Sequence, residues 1–220
     1  MKALIFDSSP IITLALNDLL RILEPLKDSF NGEFFITEPV KYELFDKSIE
    51  TKRFKLEALM IQDLIDKGIF KVKKDKMLFD EMQKIMNIAN NTFKTESAGI
   101  KIIHDGEASC LALYKLLPFE DKAIVVDERT TRMLCENPVN FHKLLEKKHH
   151  VSIKANEVNY DFFRKFRIIR SSELVYIAFK KKIISFNFPN REVLDALLFA
   201  LKFKGCSISY NEINAIKKML

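Results

Sequence analysis

Glycine is scarce and tryptophan is missing: the 220 residues hold five Gly and no Trp, against 19 Phe. So few glycines leave little scope for tight turns and point to a helix-rich chain. They also exclude the glycine-rich phosphate cradles, since neither G-x-G-x-x-G nor the P-loop pattern occurs. Cysteine is rarer still. Cys110, Cys135 and Cys206 stand alone without C-x-x-C spacing, which argues against a zinc site and against a disulfide framework. Cys110 and Cys206 read as small core hydrophobes. The four histidines, His104, His142, His149 and His150, lack H-x-x-x-H spacing and read as surface or supporting groups, with His104 nearest the acidic residues discussed below. No apolar run approaches the roughly 20 residues of a membrane span. The opening apolar run is too short for a signal peptide and is broken by an aspartate, so a cytoplasmic protein with no membrane partner is expected.

What is present is charge, unevenly placed. The formal net charge is +6, yet residues 1–100 carry −1, residues 101–135 carry −1, and residues 136–220 carry +8. A basic back behind a neutral front suggests an anionic partner such as nucleic acid. A solvated lysine surface is the competing reading.

The chain is organised around its beginning. Ala3–Phe6 has the length and polarity of a strand buried on both faces, and it ends in Asp7-Ser8-Ser9-Pro10. Ser9 can cap a helix and Pro10 suits its first turn. Asp7 thus sits where a buried strand hands over to a helix, the position at which open α/β sheets build their sites. Taken alone, it can equally be a capping residue.

Further along, residues 33–37 read as a second strand, followed by a short helix on which Val40 and Leu44 face inward with Tyr42 and Phe45 beside them, and Thr37 as its cap. Glu43 lies on that helix. Residues 51–67 form an amphipathic helix stopped by Gly68, and 69–72 a short strand. Residues 75–98 give a helical stripe of Met77, Leu78, Met82, Ile85, Met86 and Ile88, which Asn90–Thr92 can end. Asp105-Gly106-Glu107 opens another helix, whose small residues Ala108, Ser109 and Ala112 allow close packing on a sheet. Ala123–Val126 is a second buried strand ending in carboxylates, Asp127-Glu128, before a helix from Arg129. Residues 166–169 read as an edge strand, 190–204 as a helix stopped by Gly205, and Ser209 with Glu212 as a capping box. No Gly/Ser/Pro-rich linker and no repeat marks a boundary.

Two buried strands ending in acids, with further acids on two helices, exceed what capping requires. Gathering like charges in a low-dielectric site is costly. Chains that do so commonly hold a cation, and all-oxygen sites suit Mg²⁺ or Mn²⁺. Two such ions about 4 Å apart clamp an in-line phosphoryl displacement.

The segments IFDSSPIITLA, TEPVKYELF, DGEASCLALY and AIVVDERTTRML, in that order, resemble the PIN-domain family of metal-dependent nucleases. The closer likeness is to its prokaryotic toxin-like branch with a G-E-A helix start. SSELVYIAFKKKII and LDALLFALKFKGCSIS are similar to that branch's helical C-terminal tail. The resemblance implies an α/β three-layer fold: a central, mostly parallel sheet of four or five strands flanked by helices. It would fill residues 1–170, with insertions about 49–100 and 136–165, and residues 171–220 would be a basic helical extension packed on it. It further implies a catalytic set of Asp7, Glu43, Glu107 and Asp127. Asp7, Asp127 and Glu107, with Asp105 as a possible partner, would ligate Mg²⁺ or Mn²⁺. Glu43 would orient a ligand or water, and Glu128 can share or take the role of Asp127. Ser9 can hold a water or cap the helix. Arg129 and Arg132 would contact phosphate, Arg132 equally a pocket carboxylate. Arg164, Lys165 and Arg167, interleaved with Phe, would bind the strand. The implied activity is metal-assisted hydrolysis of RNA, single-stranded or structured. The implied partners are RNA, an antitoxin-like protein and a second copy of the chain. A toxin-like subunit held silent by an antitoxin, whose chain would plug the acidic pocket, is a non-enzymatic reading compatible with this chemistry, and two other readings compete. One is a PIN-like protein that binds RNA or a partner without cutting. The other is the haloacid dehalogenase type, which also opens on a strand ending in Asp but needs a second Asp where Ser9 stands.

Overall fold

In a computed structural model, which describes residues 2–95 and 99–220, the opening apolar run becomes the middle strand of a sheet. Strand β1 (Lys2–Phe6) lies between β2 (Gly32–Thr37) and β5 (Asp121–Val125), with β3 (Phe70–Lys73) and β7 (Ile168–Ile169) at the edges, in the order β3-β2-β1-β5-β7. All four pairings are parallel. Every strand therefore ends on the same side, and the order reverses between β1 and β5. Asp7 and Asp127 follow the two strands at that switch point, where a crevice opens between diverging connections.

Helices cover both faces. On the way from β1 to β3 come α1 (Ser8–Ala15), α2 (Leu23–Phe30), α3 (Glu38–Lys41), a π-helical turn at Tyr42–Asp46, α4 (Lys47–Ile49) and α5 (Lys55–Asp66). Beyond β3, α6 (Lys76–Asn90) leads to a short strand β4 (Phe93–Lys94), and α7 (Asp105–Leu116) packs along α6 and under β1, β2 and β5. Then follow α8 (Arg129–Glu136), α9 (Pro138–His149), β6 (Lys154–Ala155) and α10 (Val158–Phe163). The chain closes with α11 (Ser171–Lys180), α12 (Asn190–Lys204) and α13 (Tyr210–Lys217). The α/β architecture with a five-stranded parallel sheet is the one the sequence implies.

The apolar runs explain the layers. Phe6, Phe34 and Phe70 from three neighbouring strands meet on one face, with ring centres 5.0 Å apart for Phe6–Phe34 and 5.1 Å for Phe6–Phe70. On the stripe of α6, Leu78, Met82, Ile85 and Ala89 are buried, whereas Met77 points to solvent. That helix ends at Asn90, short of the 75–98 expected, and residues 96–98 lie outside the described residues. The two segments that the sequence leaves unassigned are tied together. β4 pairs antiparallel with β6, and buried Phe93 packs on Phe141 at 5.4 Å and Tyr160 at 5.9 Å. All three cysteines are free and buried. Among the described residues no helix is long and apolar enough to cross a membrane.

The C-terminal helices share the core through Leu174, Val175, Leu194, Leu198, Leu201 and Ile213. They are also locked by charge. Arg170 donates to Glu173 at 2.6 Å and to Glu212 at 2.7 Å, and Ser209 and Glu212 form the expected capping box. Burial raises the Glu212 carboxyl, but the Ser209 hydrogen bonds and the Arg170 guanidinium outweigh it and leave the group at about 2. A depressed carboxyl contributes stability above its ordinary value near 4.5, and that contribution is lost as pH falls toward 2. Thermal melts of wild type and Glu212→Gln are therefore expected to differ at pH 6 and to converge by about pH 2. A difference that persists unchanged at pH 2 would refute the assignment.

Candidate active site

Three acidic side chains from separate segments converge at the ends of β1 and β2. Asp7 is the N-cap of α1, a role the sequence gave to Ser9. Its Oδ2 accepts from the Ser9 amide at 3.1 Å and from the Ser9 hydroxyl at 2.6 Å. Ser9 also binds the far strand, because its Oγ accepts from the Asp127 amide at 3.1 Å. One serine thus stitches the ends of β1 and β5. Asp7 is 3% exposed.

Glu43 arrives from the π-helical turn after β2, a widened turn of the kind that recurs at functional sites because it re-aims one side chain. Its Oε2 accepts from the Ser8 hydroxyl at 2.7 Å. Its carboxylate lies against Gly106, where a Cβ would stand 3.2 Å from Oε1 and 3.3 Å from Oε2. Glycine at 106 is what lets the Glu43 carboxylate approach the positive end of α7 so closely. An alanine there favours the helix but crowds Glu43. Gly106→Ala is expected to keep or raise the melting temperature while lowering turnover about tenfold, since small misplacements are expensive in a reacting site. Unchanged turnover would show that the position of Glu43 does not matter.

Glu107 completes the group. Its Oε2 accepts from the His104 amide at 3.0 Å. Burial, first, and then the charge of Asp7 push its carboxyl up to about 7. Burial likewise lifts Asp7 to about 6, with Glu43 adding to the rise against the opposing Ser9 hydrogen bonds. The charge of each carboxylate thus bears on the next.

Asp127 is placed differently from the expectation. It is fully buried, and both its oxygens are taken by Ser171: the amide donates to Oδ1 at 2.8 Å and the hydroxyl to Oδ2 at 2.7 Å. The carboxylate is turned to the start of α11. Its neighbour Glu128 faces the acidic side instead, where its charge bears on Glu107 while its Oε2 caps α8 at the Thr131 amide, 2.8 Å away. Asp105 is exposed at the head of α7 and lines the cavity beside Glu43.

The expected phosphate-binding residues scatter. Arg129 is exposed at the start of α8, next to Glu128. Arg132 is buried; its guanidinium donates to the Ser207 carbonyl at 2.8 Å and pairs with Glu136 and Glu212, so it holds α8 to the C-terminal helices. Arg164 pairs with Asp161, and Arg167 with Asp121 at the beginning of β5. In a parallel sheet the beginning of β5 is the end opposite Asp7. Lys165 is exposed beside them. Of the three phenylalanines of that stretch, Phe163 and Phe166 are core and Phe162 packs half-buried against them.

A family model described as a PIN domain matches residues 3–138. The chain belongs to the PIN-domain family. Comparison with curated proteins and with solved structures gives no match. PIN domains are typically nucleases and generally use divalent metals. The acids of this PIN domain suit that use in their chemistry: hard oxygen donors that repel one another, Asp7 buried and Glu43 and Glu107 half-buried. They do not yet close on an ion, for among the described residues no three His, Cys, Asp or Glu side chains form a ready metal cluster.

Proposed function

We propose that this PIN domain is a metal-dependent ribonuclease with Asp7, Glu43 and Glu107 at its centre and Glu128 beside them. The observation that carries this reading is the convergence of Asp7 and Glu107 at the sheet's switch point, both raised by burial and by neighbouring carboxylates. A Mg²⁺ or Mn²⁺ ion bound there would neutralise phosphate charge and make a water more acidic. Asp7 and Glu107 would hold the ion. Glu43, steadied by Ser8 and seated on Gly106, would orient a water or a ligand. Ser9 keeps Asp7 fixed against the end of β5. No side chain is needed as a covalent nucleophile, in keeping with cysteines that are buried and far from ionising.

The test is cleavage of a labelled single-stranded RNA by the full chain with Mg²⁺ or Mn²⁺ and with chelator. Metal-dependent cleavage, lost in Glu107→Gln, is the expected result. Cleavage that survives chelator, or a Glu107→Gln variant as fast as wild type, would contradict it.

A further inference from the structure

The segment between β3 and α6, together with the π-helical turn, builds a groove of about 1020 Å³ that opens beside Glu43 and reaches His104 and Asp105. Two aromatic rings stand out into solvent on its walls. Tyr42 is 59% exposed and Phe79 is 56% exposed, although apolar side chains of that size are normally withdrawn. Tyr42 immediately precedes Glu43. Phe79 lies in the first turn of α6, in the longer of the two segments that the sequence leaves without a role.

The same groove is lined by Lys47, Lys73, Lys74, Lys76 and Lys101. Of its four acids, Glu38 pairs with Lys74 at 3.4 Å and Asp75 caps α6 through the Leu78 amide at 2.8 Å, while Glu43 and Asp105 stand at the end nearest the reacting carboxylates. Among the described residues, Lys47, Lys73, Lys76 and Lys101 have no carboxylate at ion-pair distance. Lys73 lies over the Phe35 ring, 5.3 Å from its centre. Ammonium groups without a carboxylate partner and exposed rings in one groove match a backbone of phosphates carrying unpaired bases.

We infer that this groove takes a single-stranded RNA, with bases stacked on Tyr42 and Phe79 and phosphates on Lys73, Lys76 and Lys101, and delivers it to the carboxylates past Glu43. A duplex has no free base faces to offer the two rings, so paired RNA is excluded from this path. The inference rests on the ribonuclease reading for its substrate class, and it moves the binding surface away from Arg164, Lys165 and Arg167.

The experiment is fluorescence anisotropy with a labelled 12-nucleotide single-stranded RNA, in chelator so that no cleavage intervenes. Tyr42→Ala and Phe79→Ala are each expected to weaken binding about tenfold with the salt dependence unchanged. The triple variant Lys73→Ala, Lys76→Ala, Lys101→Ala should weaken it further and flatten the slope of log affinity against log salt by about 2. Single-stranded RNA should be preferred over the same sequence as duplex and over polyglutamate. Tyr42, Phe79, Lys76 and Lys101 are exposed and Lys73 is half-buried at the end of β3, so melts matching wild type are required of each variant before its binding is read. Wild-type affinity in the ring and lysine variants would overturn the inference, as would equal binding of duplex or polyglutamate, or a loss confined to Arg164→Ala and Arg167→Ala. Because binding is read without turnover, a protein that cleaves nothing yet loses RNA through these variants sinks the ribonuclease reading alone. Cleavage retained by variants that bind normally sinks the groove alone.

Discussion

Asp7→Asn is expected to abolish catalysis while making the protein more stable. With Asp7 holding the ion as proposed, its loss should cost about a thousandfold in cleavage, the equivalent of roughly 4 kcal/mol. The stability gain follows from the sign of the shift. A carboxyl whose folded value lies near 6, against an ordinary 3.8, disfavours the folded state once pH climbs above 3.8, and the penalty is complete above about 6. The difference amounts to about 3 kcal/mol at pH 8. Asparagine removes the buried charge and keeps one oxygen for the Ser9 amide. Allowing for a weaker neutral hydrogen bond, a gain of about 2 kcal/mol remains. In chelator at pH 8 the variant should melt several degrees above wild type, and the two curves should meet near pH 4. A variant less stable than wild type at pH 8 would mean that the site is not electrostatically strained.

Asp127→Ala should do the reverse. Its carboxylate is fully buried and receives both the amide and the hydroxyl of Ser171. Truncation strands two buried donors at the first turn of α11 and leaves a void, at a cost of about 3 kcal/mol or more. Asp127→Asn keeps one acceptor and should cost about half as much. The informative contrast is with Glu128→Gln, which should leave the melting temperature within about a degree and lower cleavage. If Asp127→Asn melts like wild type but cleaves no RNA, then Asp127 belongs to the reacting group after all and its contact with Ser171 is incidental.

The contrast between those neighbours shows what a sequence can and cannot convey. The strand Ala3–Phe6, its terminal acid and the following helix are local facts, written in four apolar residues and a proline, and the structure has them in place. The same holds for the edge strands at β3 and β7 and the capping box of α13. Asp127 and Glu128 are adjacent acids after a buried strand, and only the path of the backbone decides which faces the crevice and which faces α11. The partner of Asp127, Ser171, is 44 residues away, and nothing near Asp127 announces it. Thr37 was legible as a helix cap, yet its hydroxyl instead meets Ser109 at 2.6 Å, a contact across two elements. Tyr42 reads as a possible inward neighbour of Val40 and Leu44, but it stands two residues from each, which on a helix is the opposite side, and its ring is exposed beside Glu43. The basic stretch near Arg164 looked like a binding surface from composition alone. Two of its three phenylalanines prove to be core, and Arg164 and Arg167 form exposed pairs with Asp161 and Asp121.

The most direct measurement is a Mn²⁺ titration by calorimetry on wild type and Asp7→Asn at pH 7.5. Saturable binding to wild type that disappears in Asp7→Asn is the predicted result, because the ion would relieve the repulsion among Asp7, Glu43 and Glu107. No heat from wild type at millimolar Mn²⁺, or equal binding by the variant, would contradict the metal-dependent site and leave a PIN-shaped protein whose acids serve the fold.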